Sequence, residues 1–130
     1  EEERVVLHFA LRSNKVSAID FLEEKLHSMA SYVGCGVESF GNYPPWEFNE
    51  NSKLQKLYKE KYVELFGTEP SIVAIHAGLE CGVFSDGIKD LDCIAIGPEL
   101  KDVHTVNEKL SISSTKEIFE LILSVLKECK

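Results

Sequence analysis

The sequence lacks several features that would place it quickly. It has no cluster of Lys or Arg, and its formal net charge is −8 at pH 7. That balance argues against a nucleic-acid backbone or an anionic membrane surface as partner. It has no signal-peptide pattern and no apolar run of transmembrane length, so no membrane partner is expected. None of the four cysteines stands in a C-x-x-C pair. Cys81, Cys93 and Cys129 lie in apolar or helical stretches, where a free thiol behaves as a small buried hydrophobe. A disulfide framework belongs to shorter, loop-rich secreted chains. A reducing compartment, the cytoplasm, is therefore expected. There is no internal repeat and no low-complexity segment. There is no initiator methionine either: Glu1-Glu2-Glu3-Arg4 runs straight into a strand-like segment, which leads us to expect a chain that begins inside a longer protein.

What is present reads as globular. Apolar residues make up 44% of the 130 and charged residues 28%, enough for an ordinary domain with a buried core. Val5 to Ala10 is a β-rich run closed by Arg12-Ser13-Asn14. Ile19, Leu22, Leu26, Met29, Ala30 and Val33 then recur at helical spacing, and Gly34 or Gly36 ends that helix. Val37 to Tyr43 reads as a short strand. At Gly41-Asn42-Tyr43-Pro44-Pro45-Trp46 neither a helix nor a central strand can continue, and a boundary or hinge is expected there.

Beyond it, Leu54, Leu57, Tyr58, Val63, Leu65 and Phe66 predict an amphipathic helix stopped by Gly67. Ser71–Ala77 and Asp92–Gly97 are apolar and predict neighbouring strands buried on both faces, with a turn and short helix between them from Gly78 to Gly82. The capping-box pattern Ser114-Thr115-Lys116-Glu117 predicts a last helix over 115–129. Its expected buried face is Ile118, Ile122, Val125 and Cys129, widened by Phe119, Leu121 and Leu126. Helices alternating with buried strands argue for an α/β fold.

Three places could carry chemistry. His104 follows the strand at 92–97, where ligands gather at the carboxyl ends of strands in open α/β sheets; the same position suits an exposed loop histidine. Glu80 is framed by Gly78 and Gly82 at a strand-to-helix turn. Glycines there let main-chain N–H groups approach a ligand closely, and the carboxylate could bind an ammonium group or orient a metal ligand. A tight turn with a capping Glu explains the pattern equally well. Arg12 ends the first strand and could clamp a carboxylate, or simply be a solvated strand-end charge. For Cys81 no base or cationic partner can be argued from the sequence, so a nucleophilic role is not expected. His8, His27 and the Glu23-Glu24 doublet read as packing or surface residues.

The segments IHAGLECG (75–82) and GP-x(5)-H (97–104), within residues 43–130, resemble the C-terminal end of the aminoacyl-histidine (Xaa-His) dipeptidases, a family in the dinuclear-zinc peptidase clan. ALRSN (10–14) resembles the family's lid strand ending in Arg-Ser. The resemblance implies the C-terminal part of a zinc-peptidase α/β catalytic domain, preceded by the tail of a two-layer α+β lid domain. Residues 1–42 would be the tail of the lid, 43–46 the hinge, and 47–130 the return to the catalytic domain. It also implies metal-dependent hydrolysis of Xaa-His dipeptides by the full-length parent, with two divalent metal ions, zinc, and a homodimer formed through the lid. By resemblance, His104 matches a metal ligand, Gly78 and Glu80 border the substrate pocket, and Arg12 binds the substrate carboxylate.

The family also needs an H-x-D pair, a bridging Asp, a Glu-Glu doublet and one further acidic ligand. Here His8, His27, His76 and His104 are followed two residues later by Ala10, Met29, Gly78 and Val106. Glu23-Glu24 lies in the lid-like helix, the wrong place for the base, so no catalytic base is expected in this chain, and no tight zinc binding or peptidase activity from it alone. Two zinc ions lower the pKa of a shared water and polarise the scissile carbonyl, and a carboxylate must then carry the proton. One histidine does none of this. The other readings are a related clan member acting on another dipeptide or an N-acyl amino acid, and a non-catalytic interaction module that lost the metal site.

Overall fold

The computed structural model describes residues 4–76 and 80–129. Its elements are α1 (Val16–Tyr32), α2 (Lys53–Phe66), α3 (Glu80–Gly87), β1 (Leu100–Lys101), β2 (Lys109–Leu110) and α4 (Ile112–Glu128). They fall into two units. One comprises Glu1–Phe48 with Ala74–Lys89, and the other Asn49–Val73 with Asp90–Lys130.

In the first unit, α1 forms where helical spacing predicted it, and its end is set by Gly34. Gly34 takes φ +73°, a conformation nearly free only for glycine. This turns the chain so that the Cys35 N–H donates to the Ala30 carbonyl at 2.8 Å and the Gly34 N–H to that of Ser31 at 3.2 Å. Those two bonds form a Schellman stop. At the other end Lys15 offers no side-chain cap. The Glu47 carboxylate instead accepts from the Val16 N–H at 3.2 Å, from 31 residues away.

In the second unit, α2 packs against α4. Leu121 and Val125 of α4 are the buried apolar residues among those described, and burying a Leu fully is worth roughly 1.5–3 kcal/mol. Tyr62 stacks edge-on against Phe66 with ring centroids 4.7 Å apart, one helical turn along α2. Lys61 reaches Glu64 at 3.0 Å and Glu128 at 3.5 Å, a surface tie that adds little. α2 ends at Gly67, at φ +68°, with the Gly67 N–H on the Val63 carbonyl at 2.9 Å.

The start of α2 is its best-secured point. Ser52 is buried and its hydroxyl accepts from the Gln55 N–H at 2.9 Å. Oδ2 of Asp92 accepts from the N–H groups of Lys53 at 2.8 Å and Leu54 at 2.9 Å. Burial pushes the Asp92 carboxyl up. Hydrogen bonds from the Leu54 N–H, the Ser52 hydroxyl and the Lys53 N–H, with the Lys53 charge, outweigh it and hold the group below its ordinary value.

Several expectations need correction. Val5–Ala10, Val37–Tyr43, Ser71–Ala77 and Asp92–Gly97 are not strands among the described residues; Ala77 lies outside them. Ile94 is half-buried, and Ile72, Val73, Ile75 and Ile96 are exposed. β-branched composition fits a residue to a pleated surface but supplies no neighbour, and a strand exists only by its ladder. The ladder found among the described residues is β1 with β2, antiparallel, pairing Leu100 with Leu110 and Lys101 with Lys109. The last helix begins at Ile112. Its cap is Ser111, which accepts from the Ser114 N–H at 3.3 Å, and Ser114 lies inside the first turn. Its buried stripe centres on Leu121 and Val125, flanked by half-buried Ile118, while Ile122 and Cys129 are exposed. The apolar face is wider than the contact with α2 covers.

Candidate functional site

His104 lies in a hairpin loop and not beyond a strand running from 92 to 97. β1 leads into residues 102–108, β2 returns, and α4 begins almost at once. Hydrogen bonds knit the hairpin to the helix. The Ser111 N–H donates to the Glu99 carbonyl at 3.0 Å, one step beyond the Leu100–Leu110 pair. The Glu99 N–H donates to Oγ of Ser114 at 2.9 Å, and that hydroxyl donates to the Ser111 carbonyl at 3.1 Å.

The loop is tightly wound. Asp102 and His104 adopt φ +53° and +66°. Such left-handed backbone costs a non-glycine residue about 1–2 kcal/mol, so neighbours must hold it. The Asp102 carbonyl accepts from the Thr105 N–H at 3.1 Å and from its hydroxyl at 2.7 Å. The Asn107 N–H donates to Oγ1 of Thr105 at 3.2 Å. The Glu108 N–H donates to the Thr105 carbonyl at 3.2 Å, and its Oε2 accepts from the His104 N–H at 2.8 Å. The backbone of His104 is thus fixed from both sides. Its side chain is exposed, and neither ring nitrogen bonds to a described residue. A ring nitrogen left free in this way can bind a metal ion.

Glu80 is exposed at the start of α3, where a carboxylate suits the positive end of the helix dipole. Gly78 lies outside the described residues. Arg12 is exposed, and so is His76. Arg12 and Glu80 belong to the first unit and His104 to the second.

A shallow depression on α2 is lined by Lys56, Lys59, Glu60, Val63 and Glu64 and includes none of them. No group of three or more His, Cys, Asp or Glu among the described residues could hold a metal. A zinc site takes three or four protein ligands, so a complete centre does not fit these residues. One ligand of a larger set does.

Sequence reasoning missed three carboxylates that hold this framework, Glu47, Asp92 and Glu108. Glu47 and Asp92 act across 31 and 39 residues, and no local pattern marks them. Glu108 acts across four, and Asp102 and Asn107, two turn-favouring residues around it, are the signal that could have found it.

Comparison with known proteins places the chain in a class. It belongs to the peptidase family M20/M25/M40, whose profile matches residues 4–128. Two dipeptidases stand among its relatives. It is 35% identical to the cytosol non-specific dipeptidase of Escherichia coli (strain K12) over 127 residues, which are 98% of this chain and 26% of that protein. It also matches the crystal structure of aminoacylhistidine dipeptidase from Vibrio alginolyticus with a TM-score of 0.76 at 30% identity, over 88% of this chain and 24% of that one. The chain thus spans about a quarter of the length of these relatives. The resemblance read from IHAGLECG and GP-x(5)-H is borne out, and so is the α/β class. No described helix is long and apolar enough to cross a membrane.

Proposed function

We propose that this chain is the C-terminal part of a cytoplasmic, metal-dependent dipeptidase that hydrolyses Xaa-His dipeptides. The observation that carries the reading is the chain-long likeness to two dipeptidases. In this reading residues 1–42 are the tail of a lid domain, 43–46 a hinge, and 47–130 the return to the catalytic domain. The lid also forms a homodimer. His104 supplies one ligand to a pair of divalent metal ions, zinc, whose other ligands and general base lie outside residues 1–130. Its fixed backbone and free ring nitrogens support that role. Gly78 and Glu80 border the substrate pocket, and Arg12 takes the substrate carboxylate. The chain alone is inactive.

A second reading has a specific observation behind it. The Escherichia coli relative is a non-specific dipeptidase, so the parent could cleave dipeptides without regard to a C-terminal histidine. The deciding experiment assays the full-length protein on matched dipeptides differing only in the second residue, with and without a chelator. Preference for histidine by about tenfold or more in kcat/KM, abolished by the chelator, is expected. Even rates across the set would favour the second reading. Activity untouched by the chelator, or none on any dipeptide, would remove the metal-dependent peptidase altogether.

A further inference from the structure

Gly82 stands two residues after Glu80 in the first turns of α3 and is buried. A Cβ built there would run into the carbonyl oxygen of Pro44, with the carbonyl carbon of Pro44 at 3.5 Å and Cβ of Trp46 at 3.6 Å. The obstruction is main chain at a Pro-Pro step, where ring closure fixes φ. It cannot swing aside as the tip of a long side chain could. A methyl group at 82 would force α3 and the 44–46 segment apart. The requirement is local, because Gly87, at the far end of the same helix, has nothing within 4 Å of an added Cβ.

We infer that Gly82 is a positioning residue for substrate binding. The missing side chain lets the Pro44–Trp46 segment lie directly on the helix that carries Glu80, so the seat of that segment sets where the Glu80 carboxylate stands. The inference rests on the dipeptidase reading above, in which Glu80 borders the dipeptide pocket. It assigns no contact with substrate to Gly82. The effect passes through backbone placement alone, and so falls on substrate affinity and not on the metal centre.

The test uses the full-length protein, a dipeptide it cleaves, and metal content measured on each variant. Gly82→Ala is expected to raise KM about fivefold or more, with kcat changed less than about twofold and the metals retained. Gly87→Ala places the same methyl in open space on the same helix and is expected to keep wild-type constants. In a Glu80→Gln background, Gly82→Ala is expected to raise KM no further, since residues acting through one group are not additive.

If Gly82→Ala fails to fold, Pro44→Ala reads the same coupling without adding an atom at the contact. It frees the backbone of the seat and is expected to raise KM in the same direction. A folded Gly82→Ala with wild-type KM would overturn the inference. So would Pro44→Ala with wild-type KM, or an equal rise in KM with and without the Glu80 carboxylate. A wild-type protein that cleaves no dipeptide would fail earlier, at the proposed function, and take this inference with it.

Discussion

Replacing Asp92 with Ala tests the anchoring of α2 directly. The substitution removes one acceptor from two main-chain donors, the Lys53 and Leu54 N–H groups, bonded at 2.8 and 2.9 Å. A bond to a charged acceptor contributes about 1.5–3 kcal/mol, and loss of a helix cap about 0.5–2 kcal/mol. The two bonds share one oxygen and Ser52 still serves Gln55, so they do not add in full. About 2 kcal/mol is expected, which is roughly a 30-fold change in the opening equilibrium of the helix start.

Hydrogen exchange over residues 49–66 in the full-length protein is the assay, because it reads local opening where global unfolding of a large protein is not two-state. Asp92→Ala should lose protection by about that factor at the start of α2, and Asp92→Asn by less, since its amide oxygen can still accept from the same N–H groups without the charge. The pH dependence has a fixed sign. The folded carboxyl sits below the ordinary value of 3.8, so the folded state favours the ionised form. Its contribution is complete above that value and fades as pH falls through the lower folded pKa. Protection that is equal in wild type and Asp92→Ala at neutral pH would refute the anchoring role. A wild-type advantage that grows on acidification would refute the electrostatic account.

Other outcomes follow from the same geometry. In the full-length protein His104→Ala should lose one metal and most activity, as read by metal content and turnover on the purified variant; two retained metals would show that His104 is not a ligand. Residues 1–130 alone should show neither dipeptide cleavage nor a stoichiometric submicromolar zinc site, and calorimetric titration of zinc would reveal one if it existed. Gly34→Ala places a Cβ on φ +73° and should destabilise the end of α1 by about 1 kcal/mol, seen as faster exchange of the Gly34 and Cys35 amides. Unchanged exchange there would mean that the stop does not depend on glycine.

The helices were legible because their causes are local. The spacing of Ile19, Leu26 and Ala30, or of Leu54, Leu57 and Phe66, repeats within a few residues, and Gly34 and Gly67 stop the helices where they stand. The strands were not, because a strand is a relation between segments. Ile94 and Ile96 are apolar enough for a buried ladder, yet composition cannot name the neighbour that would complete one. The hairpin at 100–110 went unread for the opposite reason: its strands are two residues long and one pair is Lys101 with Lys109. His104 was visible through its motif, but the left-handed turn that fixes it depends on Thr105 and Glu108 acting together. The start of α4 was misplaced by three residues because Ser111 and Ser114 can both cap, and the Glu99 N–H claims the second hydroxyl.

Two of these helices are synthesised before the groups that secure them. The carboxylate that caps α1 lies 31 residues beyond Val16, the first residue of that helix, and the one that anchors α2 lies 39 residues beyond Lys53. At translation speeds of about 5–20 residues per second, Asp92 would follow Lys53, the first residue of α2, by roughly 2–8 s. Through that interval its first donors are satisfied by water and by Ser52 alone, so the helix start frays and reforms. A truncated product ending short of residue 92 would carry the whole of α2 in its sequence and still be unable to hold its start in place.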